Sequence, residues 1–167
     1  MNHSIVTTHE PGRHLAVVSF PWSDEDVAER ISAAFTSVVD YLARNGIRIT
    51  GPAIGYYERR PEGSTVSAGF VVDELIEGDG HVDPLTLPPG DTISTVHVGP
   101  YERLPETYAV LQEHATLNHL VLNQHVMWEE YLSEPDVEPD LVMTRVTWPV
   151  THANLGAPLR RSVDVPS

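Results

Sequence analysis

The chain of 167 residues is long enough for one domain or for two fused small halves. Ten arginines and no lysine stand against 24 acidic residues, a net charge of −14, which argues against a nucleic-acid partner because neutralising phosphates needs clustered cations. The absence of cysteine excludes disulfides and thiolate metal sites, and no apolar run approaches the roughly 20 residues of a membrane span.

Met1-Asn2-His3-Ser4 lacks a basic region followed by an apolar stretch, so no secretory leader is expected and a cytoplasmic location is. Leu15 to Phe20 is a short β-branched apolar run that reads as a buried strand. Ser23 with Asp26 three residues on resembles a capping box. Val27, Ile31, Ala34, Phe35, Val38 and Leu42 then form one apolar stripe, a helix that Asn45-Gly46 ends. An extended segment follows from Gly51 to Glu58, then a polar turn over 59–64 and a strand from Thr65 to Val72. Glu77-Gly78-Asp79-Gly80 reads as a hairpin turn, and Val82 to Leu87 as a short edge strand limited by Pro84.

Beyond the break at Pro88-Pro89-Gly90-Asp91 the order recurs. Thr92 to Val98 is a strand, and Gly99-Pro100-Tyr101 leads into a helix bearing Leu104, Tyr108, Leu111 and Ala115, with Pro105 in its first turn. Gln124 to Leu132 and Leu141 to Val150 are strands separated by an acidic loop, and 151–167 reads as a flexible tail. Strand–helix–strand–strand thus occurs twice. The reading is an α+β fold, one domain over 1–150 with two pseudo-symmetric halves at about 5–87 and 88–150. Their strands join in one curved antiparallel sheet with both helices on one face, and the junction offers a cleft for a small ligand.

The candidate site lies in Met127-Trp128-Glu129-Glu130-Tyr131-Leu132. Alternation puts Val126, Trp128, Glu130 and Leu132 on one face, mostly apolar and suited to packing under a helix. His125, Met127, Glu129 and Tyr131 share the other, a mixture suited to a ligand wall; the plain alternative is that Glu129 faces water. Superimposing Tyr57 on Tyr131 puts Gly55 opposite Glu129, so that two tyrosines flank one carboxylate with open space across from it. That geometry suits a flat lipophilic cation, since aromatic walls stack on it and attract its charge. Trp22 and Tyr101 take similar places in the two halves and either guard the cleft or pack helix to sheet. Trp148 closes the cavity or fills the core. His97 leans into the cavity or bonds a backbone carbonyl. The nine histidines lack metal-ligand spacing, and no catalytic triad, phosphate loop or dinucleotide motif is present, so neither metal nor cofactor is expected.

His97-Val98-Gly99-Pro100-Tyr101 with Leu104 and Tyr108, then Trp128-Glu129-Glu130-Tyr131-Leu132, Pro135, Leu141 and Pro149-Val150, resembles the GyrI-like small-molecule-binding family. This is also the effector-binding domain of multidrug-responsive transcription regulators. Gly51-Pro52 through Tyr57 and Leu87-Pro88-Pro89-Gly90 look like its first-half strand and central turn. The resemblance implies a duplicated fold that binds bulky aromatic cations between its halves, with Glu129 as the pocket acid and Tyr131 as its aromatic neighbour. Other members are fused to a helix-turn-helix, and some bind a topoisomerase. Residues 1–14 are too short and 151–167 too unstructured to bind DNA here, which implies a free-standing member.

Three functions follow as expectations. The first is sequestration or sensing of lipophilic, preferably cationic, aromatic compounds. The second is a hydrolase that opens cyclopropanoid DNA-alkylating natural products with Glu129 as acid or base. The third is a module that docks on a protein partner through its acidic surface.

Overall fold

The computed structural model describes residues 4–134 and 136–153. The apolar stripe of the first half becomes helix α1 (Val27–Arg44), which buries Ala34, Val38, Tyr41 and Leu42. Gly46 ends it at φ +65° while the Ile47 N–H closes onto the Leu42 carbonyl. The expected Ser23–Asp26 box does not form. Asp26 stands at the N-cap position, but its carboxylate accepts from Arg30 Nε at 3.0 Å, a charged donor one turn along the helix. Helix α2 (Leu104–Leu117) carries Pro105 in its first turn, as expected.

The strands are β1 (Val6–Glu10), β2 (His14–Pro21), β3 (Ile49–Arg60), β4 (Gly63–Val72), β5 (Asp83–Thr86), β6 (Gly90–Val98), β7 (Leu120–Leu122), β8 (Val126–Tyr131) and β9 (Met143–His152). All pair antiparallel in the order β1-β6-β9-β8-β3-β4-β2-β5, with β7 added to β9. The order is that of two equivalent halves meeting at β3 and β8, with β1 of the first half added to β6 of the second. The sequence reading missed β1 and β7. Moreover, Thr151 and His152 pair with β7 rather than starting a tail, and 154–167 lie outside the described residues.

Chain connectivity forces the sheet to curl. β1 and β2 stand six intervals apart, about 29 Å if the sheet were flat. Only residues 11–13 join them, a link that spans at most about 14 Å. Residues 87–89 impose the same limit between β5 and β6.

Both helices cover the outer face. Against α1 lie Ala16, Val18, Phe20, Val66 and Ala68; against α2 lie Ile93, Val146 and Val150. The inner face has its own core of Leu15, Val17, Ile54, Val71, Leu87 and Trp128. This reverses one expectation: Trp128 packs inside the curled sheet, and the helices sit over Met127, Glu129 and Tyr131. Alternation separates two faces but does not say which one the helices take, and curling buries both. No helix among the described residues is long and apolar enough to cross a membrane.

Candidate functional site

Where the halves meet, Gly55 of β3 pairs directly with Glu129 of β8. Tyr57 and Tyr131 each follow two residues later on antiparallel strands, so they flank this pair from opposite ends and on the same face. Glu129 is 2% exposed, which settles its orientation inward under the helices. Its Oε1 accepts from the Tyr57 hydroxyl at 3.2 Å and from the Tyr131 hydroxyl at 3.0 Å. The Tyr108 hydroxyl, reaching down from α2, donates to Oε2. The Tyr57 and Tyr131 oxygens also meet at 3.1 Å.

Three neutral donors therefore hold one carboxyl group, and among the described residues no arginine pairs with it. Burial raises the carboxyl above its usual range, and the three phenol hydrogen bonds, which favour the ionised form, only partly offset it. Burial and the nearby Glu129 charge both push the Tyr57, Tyr108 and Tyr131 phenols up, so they stay protonated and donate.

Rings enclose this group. Phe35 of α1 meets Tyr131 edge-on at 6.0 Å and is backed by Phe70 at 5.3 Å. Tyr101, 52% exposed, meets Tyr131 edge-on at 6.1 Å from the solvent side. Trp148 stands edge-on to Tyr108 at 6.3 Å and donates from Nε1 to the Asn123 carbonyl at 2.8 Å. Trp22 is 43% exposed at the end of β2, and neither hydrogen bond nor ring contact joins it to the Glu129 group. The buried His97 takes the plainer of its two alternatives, with Nε2–H donating to the Pro100 carbonyl at 3.1 Å and Nδ1 facing the Thr107 hydroxyl at 2.6 Å.

The space expected opposite Glu129 is filled. A Cβ on Gly55 would collide with the Tyr131 phenol, which lies over that glycine. Cavities of about 500 and 330 Å³ occur elsewhere, and neither is lined by Glu129. The Tyr131 phenol therefore occupies the space across from Glu129. Sequence reasoning placed Tyr108 on a helix stripe and overlooked its hydroxyl. The signal was available, because a tyrosine on a buried helix face needs a polar partner. It also overlooked Thr144, which faces Tyr131 across the ladder with its hydroxyl buried and unpartnered. Among the described residues no group of three or more His, Asp or Glu is arranged to hold a metal.

A curled sheet of two equivalent halves, with an acid among aromatic rings at their seam, defines a duplicated α+β small-molecule-binding domain. The model of the GyrI-like small molecule binding domain matches residues 1–151, and the chain belongs to that family. No curated protein matches it significantly. Among solved structures, the EcmrR C-terminal domain is 17% identical with a TM-score of 0.77, and the match covers 92% of this chain and all of that one. A hydrolase from Listeria innocua is 14% identical with a TM-score of 0.62, over 88% of this chain and 91% of its own. SAV2435 bound to tetraphenylphosphonium is 11% identical with a TM-score of 0.57, over 90% and 94%. At these identities the likeness is one of fold.

Proposed function

We propose that this GyrI-like domain captures bulky lipophilic, preferably cationic, aromatic molecules at the seam between its halves, as a sequestering or sensing protein. One observation carries the reading: Glu129 is buried and held by three phenols, and among the described residues no arginine pairs with it. Phenols stabilise a carboxylate without cancelling its charge, so a cation that enters the rings supplies what the site lacks. Tyr57, Tyr108 and Tyr131 form the walls, Tyr101 is the door, and Trp148 braces Tyr108. Trp22 stands exposed at the end of β2, apart from these contacts. The relative bound to tetraphenylphosphonium shares the fold and supports this class of guest. Calorimetric titration with tetraphenylphosphonium and with neutral triphenylphosphine oxide tests it. Micromolar binding of the cation, roughly −8 kcal/mol, with weaker binding of the oxide is expected. Equal or absent binding of both refutes it.

A second reading rests on the raised Glu129 carboxyl, which is protonated more readily than an exposed one and stands beside phenols, the equipment of a general acid. A relative of the same fold is a hydrolase. Turnover of a cyclopropane-bearing alkylator, lost in Glu129→Gln, favours this reading; stoichiometric protection without product favours capture.

A further inference from the structure

The inner face of the sheet holds a second polar site, which faces away from Glu129. A cavity of about 330 Å³, at the lower end of the range for small-molecule sites, opens between β1, β6, β9 and β8. Four charged groups line it. Glu10 is buried and accepts from the Gly12 and Arg13 backbone N–H groups at 3.0 Å and from Arg13 Nη2 at 2.9 Å. Burial alone would raise its carboxyl, but these hydrogen bonds outweigh it and hold the group below its ordinary range. Arg13 Nη2 also reaches Glu130 Oε2 at 3.3 Å, and Arg145 Nη1 reaches Glu130 Oε1 at 3.4 Å. The two acids and two arginines balance, so net charge does not decide the guest. The unsatisfied donors do.

Arg145 makes one long contact and is 40% exposed on its side chain, leaving most of its guanidinium N–H groups available. Thr147, two residues along the same face of β9, lines the cavity and is 5% exposed, yet its hydroxyl has no partner. Directly across the ladder, Trp128 is fully buried and its indole N–H is unpartnered too. Two unpartnered polar groups, of which Thr147 lines the cavity, stand beside an arginine with N–H groups to spare, and together they are the complement of an oxygen-rich anion. A guanidinium edge matches the planar pair of carboxylate oxygens, and a second oxygen would satisfy the hydroxyl.

We infer that this inner-face cavity binds a small hydroxy- or keto-carboxylic acid, held by Arg145 and Thr147 beside the Glu130 ion pairs. The site is separated from Glu129 by the thickness of the sheet and does not depend on the reading given above.

Malate titrated into the full chain and followed by ¹⁵N NMR tests it. The indole N–H of Trp128, assigned with Trp128→Phe, and the Arg145 Nε–H should shift saturably at millimolar concentrations. Thr147→Val removes only an unpartnered hydroxyl, so its melting temperature should not fall, while malate affinity should drop about tenfold or more. Arg145→Gln should abolish the shifts. Absence of any shift at Trp128 and Arg145 overturns the site. Equal binding by Thr147→Val, or equal shifts with the neutral polyol glycerol, overturns the acid assignment and leaves the cavity to water.

Discussion

Replacing Glu129 by glutamine removes one charge and keeps the shape of the site. The amide oxygen can still accept from Tyr57 and Tyr131, and the Tyr108 hydroxyl can turn to accept from the amide nitrogen, so the fold should persist. At an effective dielectric constant of about 20 and a separation of about 5 Å, a cation loses ~3 kcal/mol of attraction. Solvent admitted by a displaced Tyr101 reduces this, which gives ~1–3 kcal/mol, or roughly 5- to 150-fold in Kd for tetraphenylphosphonium. Triphenylphosphine oxide should change by less than about threefold. The native site also predicts a pH dependence. Burial raises the free carboxyl, whereas a bound cation favours its ionised form, so binding releases a proton at low pH. Affinity should therefore climb with pH up to the raised carboxyl value and then level, and the glutamine variant should be flat. Calorimetry in buffers of different ionisation enthalpy measures both quantities. Equal losses for cation and oxide, or an unchanged pH profile in the variant, would refute electrostatic capture by Glu129.

The same raised carboxyl acts on stability. In the free protein the folded state holds the Glu129 proton to higher pH than the unfolded chain does, so this group's contribution is present at low pH and lost as pH rises from the ordinary carboxylate range through the raised value. Urea midpoints for the native chain minus those for Glu129→Gln should fall across that window. Gly55→Ala places a methyl where the Tyr131 phenol lies, and should cost ~1–3 kcal/mol in urea denaturation and shift tyrosine absorbance; an unperturbed spectrum would show that Tyr131 does not cover Gly55. Arg13→Met leaves Glu10 and Glu130 buried with Arg145 alone, and should cost about 3 kcal/mol, the lower end for breaking a buried ion pair. Most of that loss should vanish at a pH low enough to protonate both acids.

Local pattern carried much of the fold. The stripe from Val27 to Leu42 specified α1, and the recurrence of strand–helix–strand–strand specified two equivalent halves. The duplication also aligned Gly55 with Glu129, because superimposing the halves fixes the register at their seam. What stayed hidden was set by distant partners. β1 is Val-Thr-Thr-His-Glu, too polar to announce itself, and its ladder lies more than eighty residues away on β6. Leu120 to Leu122 is too short to separate from the loop before β8. Glu130 reads as a stray charge in an apolar set until Arg13 and Arg145 are brought beside it. Tyr108 reads as core until its hydroxyl meets Glu129.

Glu129 and Glu130 are neighbours in sequence, both buried, and face opposite sides of one strand. Burying a carboxylate is costly in either direction, and the chain meets the cost in two ways. On the inner face Glu130 lies between two arginines that neutralise it. On the helix face Glu129 has three phenols, which donate hydrogen bonds yet leave the charge in place. An arginine could have served there as it does one residue later, and it would have fixed the acid as a structural ion pair. Neutral donors instead keep the carboxylate in a state that either a proton or an incoming cation can complete. Under the proposed capture of a cation, the contrast between these adjacent residues separates a group held for the fold from a group held for a guest.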